Sequence, residues 1–237
     1  MSLTNKTPEK EVADLFDRIS ANYDSMNNLI TLGMHKHWRK KTMQVLNVAP
    51  GSIVLDLCCG TGDWSIALAR AVGSAGHVFA LDFSAQMLQY AKQKASAAGL
   101  NDRVSFIQGD AMDLPFDDGM FNYVTIGFGL RNVPDAKRTL QEMQRVCVKE
   151  GVVACLETSQ PQDQVVYKLW KMYFKLVPLM AKMVTSSYAD YDYLQKTSKK
   201  FLTARQLLYL FNEIGLQPSS YRMFLFGAAA LHLGFKK

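Results

Sequence analysis

No Cys-x-x-Cys spacing occurs in this chain, and two of its four cysteines, Cys58 and Cys59, are adjacent. That excludes a disulfide framework and a thiolate metal site as organising principles. Long apolar runs are also lacking, since none approaches the ~18 residues needed to span a bilayer. The stretch from Met1 to Lys10 has no apolar core and does not read as a secretory signal, so a cytoplasmic protein is expected. No repeat, low-complexity tract or linker divides the 237 residues, which fit one large domain. With 49% apolar and 20% charged residues, wholesale disorder is excluded. Acidic charge is in the minority, 21 residues against 27 Lys and Arg. The basic excess is uneven: Lys36, Arg39, Lys40 and Lys41 cluster near the front, and eight basic residues face three acidic ones from Pro161 to Arg205. An anionic partner, nucleic acid or membrane surface, is one reading; a solvated lysine face is the other.

What the chain does contain is the run Ile53-Val-Leu-Asp-Leu-Cys-Cys-Gly-Thr-Gly-Asp63, followed by Val78-Phe-Ala-Leu-Asp82. Each apolar run ends in a carboxylate, and the first leads into a glycine turn that opens a helix. This places a backbone-lined turn beside an acid at the C-terminal edge of a parallel sheet, where a nucleoside cofactor binds. A dinucleotide site would carry a third glycine, but Gly60-Thr61-Gly62-Asp63-Trp64-Ser65 ends in serine. Asp63 would also repel a diphosphate at the helix start. S-adenosylmethionine has no phosphate and carries a sulfonium cation, so an acidic loop suits it. Asp56, Gly60, Gly62, Asp82 and the further strand-end acid Asp110 therefore predict a class I methyltransferase site, with no metal.

The hydrophobic pattern predicts helices within 8–49 and over 64–72, 85–98, 134–146 and 201–214. It predicts strands at 53–57, 78–81, 104–108, 121–126 and 152–156, with Ser84 capping the third helix. This alternation gives an α/β fold, a Rossmann-like mostly parallel sheet with helices on both faces. The terminal runs 217–224 and 228–235 lack an intervening helix and should form an antiparallel edge pair. The expected organisation is one domain, 1–237, with an N-terminal helical cap at 8–49 and a helical lid insertion at 160–200. Within that insertion Val166, Leu169, Trp170, Tyr173, Leu176, Val177 and Met180 trace one helical face flanked by Lys168, Lys171, Lys175 and Lys182. Such a helix can pack as ordinary core, cover an apolar pocket or rest on an anionic bilayer.

Three further stretches carry a family resemblance. Tyr23-Asp-Ser-Met-Asn-Asn-Leu-Ile-Thr-Leu-Gly-Met-His-Lys-His-Trp38 resembles the N-terminal signature of the quinone-biosynthesis C-methyltransferases. Gly127-Phe-Gly-Leu-Arg-Asn-Val133 is similar to their fourth-strand motif, and Arg145-Val-Cys-Val-Lys-Glu-Gly-Val-Val-Ala-Cys-Leu-Glu-Thr-Ser159 to their second signature. The ending Ala230-Leu-His-Leu-Gly-Phe-Lys236 matches as well. A departure lies at Lys149-Glu-Gly-Val152, where the family commonly has Lys-Pro-Gly-Gly; it bears on a turn, not on the reaction.

The resemblance implies methyl transfer from S-adenosylmethionine to a ring carbon of a prenylated hydroquinone: demethylmenaquinol, the analogous ubiquinol precursor, or both. It implies cofactor contacts at Thr61, Asp82, Asp110 and Ala111, with Asp82 on the ribose hydroxyls. Asp56 would face the amino acid part. Arg131 and Asn132, after the fourth strand, would face the substrate ring, where Arg131 stabilises a phenolate or orients a water; a structural pair with an acid is the competing reading for Arg131. Tyr23, Asp24, Asn27 and His35 would close over the pocket, Tyr23 by stacking and His35 as a base; helix capping and packing are the competing readings for Asp24, Asn27 and His35. Tyr188, Tyr191 and Tyr193 would line a tail channel or simply pack. A peripheral position at the inner face of the cell membrane and a homodimer are compatible with this reading. A nucleic-acid methyltransferase is the distant alternative: the chain has no Pro-Pro, and neither Cys147 nor Cys155 follows a proline.

Overall fold

The computed structural model describes residues 7–173 and 188–237. Three helices lead the chain: α1 (Glu9–Ile19), α2 (Tyr23–Thr31) and α3 (Met34–Leu46), with a 3-10 turn at Ser20–Asn22. The alternating part follows as β1 (Ile53–Leu57), α4 (Asp63–Val72), β2 (His77–Asp82), α5 (Ala85–Ala97), β3 (Val104–Gln108), β4 (Phe121–Gly127), α6 (Ala136–Val146) and β5 (Cys147–Thr158). After β5 come a helix at 164–173 (α7), α8 (Tyr188–Lys200), α9 (Ala204–Glu213), β6 (Leu216–Phe224) and β7 (Ala229–Lys236).

The seven strands form one sheet in the order β3-β2-β1-β4-β5-β7-β6. β1 to β5 run parallel, and β7 inserts antiparallel between β5 and β6. The order reverses between β1 and β4, so the loops after these two strands diverge and open a crevice at the C-terminal edge. Alternation along each strand feeds both faces. Leu55, Leu57, Val124, Ile126 and Val153 pack under α6 and α9. Val54, Val78, Ala80, Ala154 and Leu156 pack under α3 and α4 with Trp38, Trp64 and Leu68. A parallel sheet buried on both faces explains why these strands read as continuous apolar runs.

Three expectations are corrected in detail. The predicted helical stretch 8–49 is broken at Ser20–Asn22 and at Leu32-Gly33, where both residues take left-handed backbone. β5 starts at Cys147 rather than at 152, because the turn residue Glu150 (φ 62°) and a register shift opposite Phe121 let the strand continue through the Lys149-Glu-Gly segment. The helix expected from 201 starts at Ala204, where Thr203 accepts from the Gln206 N–H and the Gln206 side chain accepts from the Thr203 N–H. Among the described residues, no helix is long and apolar enough to cross a membrane.

Candidate active site

The loop after β1 turns sharply. Cys58, Gly60 and Gly62 all have positive φ (50°, 55° and 82°), and Gly62 lets α4 close against Ala91 of α5, where an added Cβ would stand 3.0 Å from the Ala91 Cβ. The loop after β4 crosses the β1 loop with no room between them. A Cβ on Gly129 would lie 2.4 Å from the Cys58 Cβ. That contact fixes how the two edges of the crevice meet.

Between them lies a cleft lined by Gly60, Asp82, Asp110 and Ala111, and on the far wall by Gly129 and Asn132. Val12, Ala13 and Phe16 of α1 and Tyr23 of α2 close it from above. Asp82 accepts the Gly60 N–H (2.8 Å) on Oδ2 and the Ser84 N–H (2.9 Å) on Oδ1. A carboxylate has about four acceptor sites, so it retains capacity for a diol. Burial pushes Asp82 above the usual carboxylate range, partly offset by these backbone donors. Asp110 Oδ1 accepts the Met112 N–H at 2.8 Å, which orients its other oxygen. The cleft lining holds two carboxylates and no Lys, Arg or His. A diphosphate would find no counter-charge there, whereas a nucleoside carrying a sulfonium fits.

Asp56 and Thr61 sit beside this cleft, bordering a narrow recess with Arg39, Cys59 and Asp63. Asp56 is buried at the end of β1 and accepts from the hydroxyls of Ser65 (2.6 Å) and Thr125 (2.8 Å), tying α4 and β4 to the strand end. Burial raises it to about 6 despite these donors. Thr61 donates to Asp24 of α2 at 2.6 Å and accepts from Lys94 of α5 at 3.0 Å. Lys94 also pairs with Asp24 and, at 2.6 Å, with Asp63. Asp24 is therefore neither a helix cap nor a pocket wall: it latches the N-terminal helices to the glycine turn. Arg39 belongs to no external basic patch, as it turns inward over the Phe128 ring (5.6 Å) and toward Asp63 (3.5 Å).

A second, open cavity lies on the other side of Tyr23 and Phe128, the two aromatic rings that line both spaces. Its wall is mainly apolar, including Ile30, Met34, Trp38, Leu169, Trp170 and Leu194. Phe128 holds its place from left-handed backbone, φ 60°. Burial raises the Tyr23 phenol above its ordinary value. Arg131 and Asn132 are split by the 3-10 turn at Leu130–Asn132: Arg131 lines the apolar chamber and Asn132 the cleft.

Arg131 Nη1 donates to Glu157 Oε1 (2.5 Å) and to the Phe128 carbonyl (2.7 Å), and its backbone N–H reaches Glu157 Oε2 (3.2 Å). Its Nε is buried without a partner. Glu157, 26 positions away at the end of β5, was not paired with Arg131 by sequence reasoning, because no spacing rule links the ends of neighbouring strands. His35 lines the same chamber, buried and held down to about 4, chiefly by desolvation and then by Arg39. Thr31 donates its one hydroxyl proton to the Asn27 carbonyl (2.7 Å), so the 2.6 Å contact with His35 Nδ1 is best made by an Nδ1–H. The imidazole is then neutral with an unprotonated Nε2. Cys58 and Cys59 are pushed well above ordinary thiol values by burial and nearby carboxylates and stay protonated.

The inserted segment is partly described. Val166, Trp170 and Tyr173 of α7 line the chamber, and Tyr173 donates to the Ile30 carbonyl at 2.7 Å. Leu169, expected on the same inward face, reaches the rim but stays more than half exposed. Tyr193 packs against α1 and α2 instead of lining a channel. Leu176, Val177, Met180, Lys175 and Lys182, and the side chains of Tyr188 and Tyr191, lie outside the described residues.

The chain is similar to known methyltransferases in sequence and in fold. The chain is 48% identical over 237 residues to a demethylmenaquinone methyltransferase of Lactobacillus johnsonii, covering 100% of this chain and 97% of that one. It is 49% identical over 232 residues to the protein of the same name in Bacillus mycoides, 98% of both chains. Among solved structures, an S-adenosylmethionine-dependent methyltransferase from Aquifex aeolicus superposes with a TM-score of 0.60 at 16% identity, over 82% of this chain and 87% of that one. A chain of the Haloferax volcanii complex that contains the Trm112 methyltransferase activator gives 0.70 at 21% identity, over 94% and 96%. These structural likenesses show the fold, a Rossmann-like methyltransferase sheet. Residues 4–236 match the model of the ubiE/COQ5 methyltransferase family, and the chain belongs to that family.

Proposed function

We propose that this enzyme transfers a methyl group from S-adenosylmethionine to the ring carbon of demethylmenaquinol, giving menaquinol. One observation carries the reading: the acid-lined cleft and the large apolar chamber meet at Tyr23 and Phe128. A polar nucleoside and a lipid-like ring thereby share one wall. The near-full-length relatives of that name support the choice of quinol.

When bound, S-adenosylmethionine supplies an electrophilic methyl group on a sulfonium. Asp82 would take the ribose hydroxyls, and Asp110 with the Ala111 backbone the adenine edge. Gly60 gives the backbone close approach, Gly62 lets α4 pack behind it, and Asp56 and Thr61 hold the turn in shape. The chain's part in the chemistry is to position the ring, exclude water and stabilise the phenolate that makes the ring carbon nucleophilic. Arg131 is suited to this last role, because it lines the chamber while Glu157 and the Phe128 carbonyl fix its orientation. Arg131 is no base, since it stays protonated. His35 offers a neutral Nε2, but a pKa of about 4 makes it a weak acceptor, so Arg131 carries more of the burden. Asn132 braces the cleft wall.

In this reading residues 1–237 are one domain, 8–49 its cap and 160–200 its inserted wall. The substrate resides in a bilayer, so the enzyme works peripherally at the inner membrane face. The test is methyl transfer from labelled S-adenosylmethionine to reduced demethylmenaquinol, with the demethylated ubiquinol precursor and bulk RNA in parallel. Label in menaquinol supports the reading, and label in both quinols widens it to the shared hydroquinone edge. Absence of label from menaquinol overturns it.

A further inference from the structure

Three bulky apolar residues are held in left-handed backbone at exposed positions: Leu32 (φ 49°), Leu225 (φ 45°) and Phe226 (φ 54°). L-residues adopt this conformation at a conformational cost, and branched or bulky side chains do so rarely. Leu32 is 72% and Phe226 78% exposed, so burial does not repay that cost. All three line the same feature, the mouth of the apolar chamber, although Leu32 ends α2 and the other two sit between β6 and β7. Helix α7 adds a third side to this mouth. Its inward face is Val166, Trp170 and Tyr173, while Val165, Leu169 and Met172, spaced four and three apart, form a second apolar stripe that faces solvent. Lys168 and Lys171 are exposed on the same helix, and Lys36 is exposed one turn beyond Leu32. Asp163, just ahead of this stripe, accepts the Val165 and Val166 N–H groups.

We infer that this rim is a bilayer-docking surface: Leu32, Leu225, Phe226 and the Val165–Leu169–Met172 stripe insert among the acyl chains of an anionic membrane, and Lys36, Lys168 and Lys171 contact its headgroups. The occupant follows from charge and continuity. Exposed apolar side chains with exposed lysines on α3 and α7 match an apolar layer under an anionic one, the pattern of interfacial helices. The rim also encloses the opening of a chamber lined by the same kind of side chain, so a lipid-borne substrate would pass from bilayer to chamber without crossing water. This last step rests on the quinol reading; the docking surface itself does not.

The experiment is co-sedimentation of the full chain with phosphatidylcholine vesicles, with and without phosphatidylglycerol. Binding should require the anionic lipid and weaken with salt. The pair Leu32→Asn and Phe226→Asn should lower the partition coefficient by about tenfold or more. Asparagine tolerates left-handed backbone, so the melting temperature and its rise with S-adenosylhomocysteine should be kept. Val165→Gln with Met172→Gln, outside the chamber lining, should show the same loss. Lys168→Gln with Lys171→Gln should flatten the salt dependence. Parent-like binding by the two apolar double variants would overturn the inference, as would a parent that ignores anionic vesicles. A parent dimer that these variants dissociate, with vesicle binding intact, would make the occupant a second copy. No quinol enters this assay, so intact docking alongside failed methyl transfer in detergent would sink only the substrate reading.

Discussion

Arg131 and Glu157 face each other at the C-terminal ends of β4 and β5, the guanidinium donating to a carboxylate that is 1% exposed. Removing one partner of a buried pair strands the other, at a cost of about 3–5 kcal/mol. Arg131→Met should therefore lower the melting temperature as well as kcat, the latter by about 10²–10³, as for other lost donors to a developing anion. Adding Glu157→Leu to it should recover much of the stability and none of the activity. Thermal melts and single-turnover rates on both variants check this, and activity returning with stability would make Arg131 purely structural.

Asp82→Ala should abolish most stabilisation by S-adenosylhomocysteine. Hydrogen bonds to a charged group are worth about 1.5–3 kcal/mol, so affinity should fall by roughly 10- to 150-fold. The substitution also frees the Gly60 and Ser84 N–H groups, so Asp82→Asn is the milder companion. Calorimetric titration of S-adenosylhomocysteine reads both.

Lys94 holds Asp24 of α2 and Asp63 of the glycine turn in one grip, with Thr61 between them. All three charges are about one-third exposed, so screening limits their worth to global stability to at most about 1 kcal/mol. Lys94→Met should barely move the melting temperature yet speed amide exchange in α2 and weaken cofactor binding. Unchanged exchange in α2 would show that packing alone retains the cap.

Acid should destabilise the protein through two imidazoles. His35 and His232 are each pushed down to about 4 by burial, below their ordinary 6.5. The unfolded chain binds protons that the native state refuses, so stability present above pH 6.5 is lost as pH falls toward 4, on the order of 3 kcal/mol per imidazole. Asp56 works the other way. Raised from 3.8 to about 6, it contributes stability below pH 4 that is lost as pH rises through 6. Asp82, also raised by burial, works in the same direction as Asp56. Glu142 beside Arg145 and, despite its burial, Asp63 beside Lys94 are held below the ordinary carboxylate range and side with the imidazoles. Melting temperature should still fall from pH 7 to pH 4.5. His232→Gln should flatten that slope; an unchanged slope would locate the acid sensitivity elsewhere.

How much of this was legible in the sequence depended on the range of the deciding interaction. β1 and β3 fall at the expected residues, and Ser84 caps α5 by accepting from the Met87 N–H, because apolar runs and capping residues act within a few positions. The cleft acids Asp82 and Asp110 were named because strands end at them. The start of α9 was also open to reading, since Thr203 and Gln206 stand at capping-box spacing. The pairing of Arg131 with Glu157, the grip of Lys94 on Asp24, and the sharing of two cavities by Tyr23 and Phe128 arise from contacts between distant segments. No local period encodes them. Arg39 looked like part of a basic surface because its neighbours Lys36, Lys40 and Lys41 are exposed; only the packing of α3 shows that it points in.

The ring of Tyr23 forms part of the wall of both cavities. Any shift that one ligand imposes on it changes the shape offered to the other. Affinities for nucleoside and quinol are then linked, and linkage is reciprocal: the factor by which one sharpens the other's binding must be returned in kind. A shared aromatic partition thus couples the two sites, so each ligand's Kd changes by one common factor when the other is present.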